Sequence, residues 1–403
     1  SIIWYLEHVF YHSVPKIYNY IQQHVYDGEP IENEIIDLGF WPGGDRDGNP
    51  FVTTKITLNV AERLRQTILR SYYRDIRRLK RRFTFDGVQN ILSKVEKRLY
   101  KHVVRSYAKV NFSQKILLEE LYAAREIIVN EHQSLFVEEL NDVINKVRIF
   151  GFHFATLDIR QDSRVHHKAF TQIVEDLHKI GDTTFPKNYL TLSEKEQIDI
   201  LSVVKGEIDT NILTDETSVK TIESIYALKE IQHRNGERGA NRYIISNNQT
   251  ALNVMETFAM LNLCGFENEL PVDVIPLFET VEDLENSEEV MRTLYSNKTY
   301  RHHVSKRKNK QTIMLGFSDG TKDGGYLMAN WAIFKAKEAL TRISKEYDIE
   351  VIFFDGRGGP PARGGGKTHQ FYASLGPTIE DKEIQLTIQG QTISSNFGTL
   401  NSS

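Results

Sequence analysis

Cysteine is nearly absent from this chain: 403 residues contain one, Cys264. A lone thiol excludes an internal disulfide and fits a reducing compartment, so a cytoplasmic location is expected. Its neighbours Leu263 and Gly265 suggest a small buried hydrophobe rather than a nucleophile. Long apolar runs are missing too, and with them any expected membrane span or signal peptide. Charge of one sign is also lacking. Lys and Arg number 50 against 54 Asp and Glu, a formal net charge of −4, which gives no bulk attraction to nucleic acid or membrane. No initiator Met is present. The chain starts with Ser1-Ile2-Ile3-Trp4, already inside an amphipathic pattern, and a piece of something longer is expected. What is present, 40% hydrophobic and 26% charged residues, is the composition of a globular protein of one large domain or two ordinary ones.

Residues 1–149 read as mainly helical. Ile2, Ile3, Leu6, Val9 and Phe10 share one helical face within residues 2–27, and Pro15 is expected to kink or restart that helix. A loop dense in Gly, Asp and Pro follows, from Leu38 to Pro50. Three long helical patterns come next, at 54–82, 87–108 and 114–149. The basic run Arg74, Arg77, Arg78, Lys80, Arg81 and Arg82 reads as a solvated helix face rather than a nucleic-acid patch, because acidic residues balance it elsewhere.

From residue 150 to 403 the pattern changes. Phe152 to Ile159 reads as a strand running into Arg160-Gln161, with a helix at 163–180. Helices follow at 194–205, where Ser193 and Glu196 form a capping-box pattern, and at 216–235, closed by Gly236. Strands are then expected at Arg242–Ser246, Val272–Phe278, Thr312–Phe317, Glu350–Phe354 and Gln385–Ile388. Helices at 250–263, 281–297 and 325–346 separate the first four of them. Short apolar strands alternating with helices argue for parallel βαβ units, in an open doubly wound sheet or a (β/α) barrel.

Charged residues collect at the ends of those strands: Arg160, Glu279, then Asp319 with Lys322, then Arg357 with Arg363. The carboxyl ends of parallel strands are where such folds bind ligands. The last of these ends runs Asp355-Gly356-Arg357-Gly358-Gly359-Pro360-Pro361-Ala362-Arg363-Gly364-Gly365-Gly366. Its glycines allow backbone N–H groups to approach an anion, and its arginines offer planar forks for phosphate or carboxylate. Glu279 and Asp319 are hard oxygen ligands suited to Mg²⁺ or Mn²⁺. Lys322 is a compact cation that could stabilise an oxyanion or enolate. Two decoys are rejected. Asp45-Arg46-Asp47-Gly48-Asn49 imitates an EF-hand loop, but Pro50 holds the place of its glycine. Gly366-Lys367-Thr368 imitates the end of a P-loop, but Pro361 stands where the first glycine belongs.

These segments resemble those of phosphoenolpyruvate carboxylase. Gly39-Phe40-Trp41-Pro42-Gly43-Gly44-Asp45-Arg46-Asp47-Gly48-Asn49-Pro50 is similar to that family's tryptophan-containing loop. Asp158-Ile159-Arg160-Gln161, Phe317-Ser318-Asp319-Gly320-Thr321-Lys322-Asp323 and the arginine loop follow in the family's order. The resemblance implies an α/β fold with large helical content, a partial (β/α)₈ (TIM-type) barrel embedded in many α-helices. It implies addition of bicarbonate to phosphoenolpyruvate, giving oxaloacetate and phosphate with Mg²⁺ or Mn²⁺, and a homotetrameric parent. By motif, Glu279 and Asp319 resemble the metal ligands, and Arg160 and Arg357 the arginines that hold the phosphoryl group. Lys322 and Arg363 resemble the residues serving bicarbonate, carboxyphosphate and the enolate, and Trp41 the aromatic near the substrate's methylene.

Three departures stand out. The family has His where this chain has Asp355, which is expected to add negative charge to an anion site. Pro360-Pro361-Ala362 interrupts the arginine loop. The family's segment bearing a further catalytic His is not found in these residues and is expected ahead of Ser1, with the last barrel strands after Ser403. An internal fragment, inactive alone, is therefore expected. The alternative is a divergent homologue that binds phosphometabolites without turnover.

Overall fold

The computed structural model describes residues 2–399 apart from 29–30, 32–34, 105–111, 267–268, 317, 357–366, 389–392 and 395–396, with the backbone alone at 318–324. Helix α1 (Ile2–Tyr5) passes through a π turn at Leu6–Phe10 into α2 (Tyr11–His24). Pro15 lies inside α2 without ending it. The helical stretch runs unbroken from Ile2 to His24, and the π turn just ahead of Pro15 is the irregularity beside it, so the chain does not restart at the proline. After the short strand β1 (Gly39–Phe40) comes α3 (Thr54–Arg82), begun by Thr53, whose side chain accepts from the Ile56 N–H. Ala61, Leu64, Ile68, Tyr72, Ile76 and Leu79 recur along α3 at helical spacing and are all buried. The basic residues lie on its other side in ion pairs: Arg74 with Glu7 at 2.6 Å, Arg82 with Glu139 at 2.6 Å, and Arg77 and Lys80 with Glu96.

Helix α4 (Val88–Val104) is followed by α5 (Gln114–Glu131) and α6 (Val137–Phe150) where one helix was expected over 114–149. Gln133, Ser134 and Phe136 between them take φ of 53°, 58° and 61°. No Gly or Pro marks that left-handed turn, and the apolar spacing continues across it. A buried cluster ties these helices together. Asp75 Oδ2 accepts from Tyr11 Oη at 2.8 Å and from Lys146 Nζ at 3.1 Å, linking α3 to α2 and α6.

The strand expected from Phe152 starts later, as β2 (Thr156–Leu157) and β3 (Ile159–Asp162). Phe154, with φ 68°, sits in a turn, and both Phe152 and Phe154 fill the main core. Then come α7 (Ser163–Lys179), α8 (Glu194–Leu201), α9 (Glu216–Asn235) and β4 (Arg242–Ser246). Helix α8 opens on the capping box of Ser193 and Glu196. Next are α10 (Ala251–Asn262), β5 (Asp273–Phe278), α11 (Val281–Ser296), α12 (Lys298–Lys306) and β6 (Lys310–Leu315). The sequence reading missed α12, which Asn297 starts by accepting from the Tyr300 N–H. The chain continues through α13 (Ser318–Glu346), broken at Gly325 with φ 79°, to β7 (Glu350–Asp355), α14 (Thr368–Ala373) and β8 (Ile384–Leu386).

Six strands form one parallel sheet in the order β3-β4-β5-β6-β7-β8. A doubly wound sheet reverses its strand order at a switch point, and no reversal occurs among the described strands. Strand β1 pairs with β2 in parallel, and an isolated bridge between Asp45 and Arg160 carries that pairing onto β3. Alternation splits the side chains between two cores. Tyr243, Ile245, Val274, Phe278, Ile313, Leu315, Val351 and Phe353 join the main core with the helices. Ile244, Ile275, Leu277, Met314 and Phe354 point the other way into a second, small cluster against Trp41. That second face carries the candidate site.

Candidate active site

Arg160 lies on the inner face of β3, and the loop after β1 is fastened to it twice. In the backbone, Arg160 N–H donates to Gly44 O at 3.1 Å and Arg46 N–H to Arg160 O at 2.9 Å. In the side chains, Nη2 donates to Asp47 Oδ2 at 2.8 Å and Nε lies 3.0 Å from Asp45 Oδ1. Burial pushes the Asp45 carboxyl up, against the pull of the Arg160 guanidinium. The close approach depends on Gly44, where a Cβ would fall 2.0 Å from the Asp158 carbonyl oxygen. Thr57 of α3 holds the loop from outside, its hydroxyl donating to Gly43 O at 2.7 Å.

Trp41 lies beneath that guanidinium, its ring centroid 5.1 Å from the Arg160 Cζ. The structure thus brings together the two residues expected to bind substrate and still described, Trp41 and Arg160. Asp45 and Asp47, which sequence reasoning quoted only as motif letters, hold the arginine. Their alternation around Arg46 was the signal available. Asp158, likewise only a motif letter, and Arg242, only the start of an expected strand, had been given no role: Trp41 Nε1 donates to Asp158 Oδ2 at 2.9 Å, and Arg242 Nε lies 3.1 Å from Asp158 Oδ1.

Glu279 follows β5 directly, at the same carboxyl edge as Arg160 and two strands along. Its N–H and that of Thr280 donate to Asp283 Oδ2 at 3.4 and 3.0 Å, in the capping box that starts α11. A Cβ on Gly316 would lie 3.0 Å from the Glu279 Cα, so this glycine lets the end of β6 pass against Glu279. The chain then enters α13 through Asp319 and Lys322, whose side chains lie outside the described residues. Arg357 and Arg363 lie outside them as well. Glu279 supplies one hard carboxylate, which fits half of a Mg²⁺ or Mn²⁺ site. No cluster of three His, Cys, Asp or Glu side chains able to hold a metal occurs among the described residues.

Asp355 corrects an expectation. Its Oδ2 accepts from Lys337 Nζ at 2.9 Å and from Tyr372 Oη at 2.6 Å. Both partners stand on helices, α13 and α14, and Phe353, on the same side of β7, belongs to the main core. The carboxylate is therefore turned into the helix layer and neutralised there, because strand alternation gives the inner face to Phe354. Burial and the adjacent carboxylate push the Tyr372 phenol up, which keeps it a donor.

A family model of phosphoenolpyruvate carboxylase matches residues 2–115 and 87–403. The chain belongs to the phosphoenolpyruvate carboxylase family. Proteins named phosphoenolpyruvate carboxylase from Nitrosomonas eutropha and Nitrosomonas europaea are each 29% identical to it over 98% of its length. One from Rhodothermus marinus is 28% identical over the same share. The chain covers 47%, 47% and 48% of these relatives, so it spans about half the length of the phosphoenolpyruvate carboxylases it matches. No described helix is long and apolar enough to cross a membrane.

Proposed function

We propose that the protein carrying this chain carboxylates phosphoenolpyruvate with bicarbonate, forming oxaloacetate and phosphate with Mg²⁺ or Mn²⁺. The observation that carries the reading is Arg160 held by Asp45 and Asp47 over the Trp41 ring, at the carboxyl edge of a parallel sheet, in a chain of this family. The sequential order of the six strands supports a further proposal, that they are part of a (β/α)₈ barrel with residues 1–149 as a mainly helical region beside it. We assign oxaloacetate supply to the tricarboxylic acid cycle, a cytoplasmic location and a homotetrameric parent to the same reading.

Each residue has a separate task in this proposal. Arg160 and Arg357 grip the phosphoryl oxygens in two-point fashion. Arg160 Nη2 donates to Asp47, and the Asp45 carboxylate lies beside Nε; the two acids orient the fork and leave further N–H donors to an anion. Trp41 packs beside the substrate's methylene. Glu279 and Asp319 would hold the divalent cation, which when bound neutralises charge on substrate oxygens. Lys322 and Arg363 offset the charge that builds on bicarbonate, carboxyphosphate and the enolate. Phosphoryl transfer to bicarbonate needs this kind of neutralisation more than it needs a nucleophilic side chain.

The test is oxaloacetate formation by the purified full-length protein, coupled to reduction of the product. Turnover that requires both bicarbonate and Mg²⁺ is the expected result. Binding of phosphoenolpyruvate by calorimetry with no release of phosphate would overturn it in favour of the non-catalytic, phosphometabolite-binding reading. The 403-residue chain alone is expected to show no turnover, and robust activity from it would refute that.

A further inference from the structure

The inner face of the sheet contains a closed circuit of four side chains. Trp41 Nε1 donates to Asp158 Oδ2 at 2.9 Å. Asp158 faces the Arg242 guanidinium, with Oδ1 and Nε 3.1 Å apart. The Arg242 Cζ lies 5.1 Å from the centroid of the Phe354 ring. That ring meets Trp41 edge to face at 6.1 Å and 75°, which closes the circuit. Four separate segments contribute: the loop after β1, the residue between β2 and β3, the start of β4 and the end of β7.

We infer that Arg242 and Asp158 are positioning residues for the proposed substrate site: they fix the Trp41 indole, and through it the guanidinium of Arg160. This rests on the function proposed above. Three observations support it. Asp158 has side-chain exposure of only 3%, so its charge depends on Arg242 for compensation. The indole is held by direction as well as by shape, because its single N–H donor is spent on Asp158. The Arg160 guanidinium rests on the opposite partner of this circuit, the Trp41 ring, at 5.1 Å, where a cation is attracted to the π face. A tilt of the indole therefore moves the surface on which Arg160 lies. Gly39 and Gly44 border the same residue: a Cβ on Gly39 would sit 3.8 Å from Asp158 Oδ2, and one on Gly44 would strike the Asp158 backbone.

Arg242 touches no residue assigned to substrate in the proposal, so its effect must pass through Asp158 and Phe354. The experiment uses the full-length protein with Trp4 and Trp331 replaced by Phe; with any tryptophans outside this chain also replaced by Phe, Trp41 is the reporting indole. Arg242→Gln, Arg242→Lys, Asp158→Asn and the double variant Arg242→Gln/Asp158→Asn are compared by Trp41 emission and by KM and kcat for phosphoenolpyruvate. Arg242→Gln is expected to shift the emission and raise KM about tenfold as the Arg160 grip loosens, with kcat falling less. Arg242→Lys is expected to recover part of both, and to serve as the comparison should the Gln variant not fold. The double variant is expected to be no worse than Arg242→Gln alone, since both changes break one link. Folded Arg242 variants with wild-type emission and wild-type KM would overturn the proposal. So would a raised KM without an emission change, because Arg242 would then act on substrate by another route. Emission needs no turnover, so a protein inactive on phosphoenolpyruvate would refute the proposed function while the positioning is still tested.

Discussion

Asp355→His introduces the residue that the family resemblance led us to expect here, and the structure predicts that it does harm. Asp355 Oδ2 alone accepts from both Lys337 Nζ at 2.9 Å and Tyr372 Oη at 2.6 Å, and the Lys337 side chain is only 2% exposed. A neutral imidazole offers one acceptor nitrogen, so one of the two donors loses its partner. The lysine also loses its counter-charge. Its contacts with the Phe353 and Tyr372 rings, at 5.4 and 5.6 Å, persist in the variant and offset nothing new. Removing one partner of a buried pair costs about 3–5 kcal/mol. We expect about 3 kcal/mol of lost stability in urea unfolding, with lower oxaloacetate formation. Adding Lys337→Met to Asp355→His removes the stranded charge and is expected to recover about 2 kcal/mol. Wild-type stability together with equal or higher kcat for Asp355→His would refute the argument, as would failure of Lys337→Met to restore anything.

Three further outcomes follow from other parts of the chain. Gly44→Ala drives a Cβ into the Asp158 carbonyl at 2.0 Å, a backbone clash that no rotamer relieves; phosphoenolpyruvate binding measured by calorimetry should be lost, and retained affinity would contradict the docking of this loop on β3. Glu279→Gln should raise the half-saturating Mn²⁺ concentration about tenfold or more by removing a charged ligand, and an unchanged metal titration would remove Glu279 from the site. Burial lowers the pKa of His153 and His166 to about 3 and of His303 to about 4. The unfolded chain then binds more protons than the folded one below about 6.5, so stability is full above that pH and falls as pH drops, by about 1.4 kcal/mol per unit for each group. His12, lowered by burial, adds to these three; His167, raised by its hydrogen bond to Glu256, and the carboxyls of Asp45, Asp158 and Glu256, raised by burial, work the other way, mostly nearer the carboxylate range. Urea midpoints at pH 7.5 and 5.0 check the sum, and equal midpoints would refute it.

The strand ends were legible because they obey a local rule. A buried parallel strand is a short apolar run, and the first charged residue after it, such as Glu279, is placed by the fold at the ligand-binding edge. Strands β4, β5, β6 and β7 were located in this way. The break at Gln133–Phe136 was not legible, because the left-handed turn uses residues that carry no turn signal and leaves the apolar spacing intact. The supports of the site were hidden for a different reason. Arg242 meets Asp158 across 84 positions of sequence and Trp41 meets Asp158 across 117, so nothing nearby marks them as partners. Asp355 was given the wrong direction, since one step along β7 moves a side chain from the site to the helix layer.

That last error bears on what a carboxylate can do at this strand end. An added carboxylate at an anion site would repel the substrate, and an Asp there would look like a loss of function. On the outer side of β7 the same residue has a lysine from α13 and a phenol from α14 as partners, so its charge is cancelled before it reaches the site. The exchange is then not one residue but a group, Asp355 with Lys337 and Tyr372. Such a group must change together, because each member alone leaves a buried polar atom without its partner. The inner side of the same strand keeps Phe354, which meets Trp41 and Arg242. Strand alternation thus separates the two roles: Asp355 lies on the face that holds the helices, and the aromatic support of Trp41 and Arg160 lies on the other. A substitution confined to the outer face leaves the Arg160 fork where it is, which is why the sign of the effect of Asp355→His depends on Lys337 rather than on the substrate.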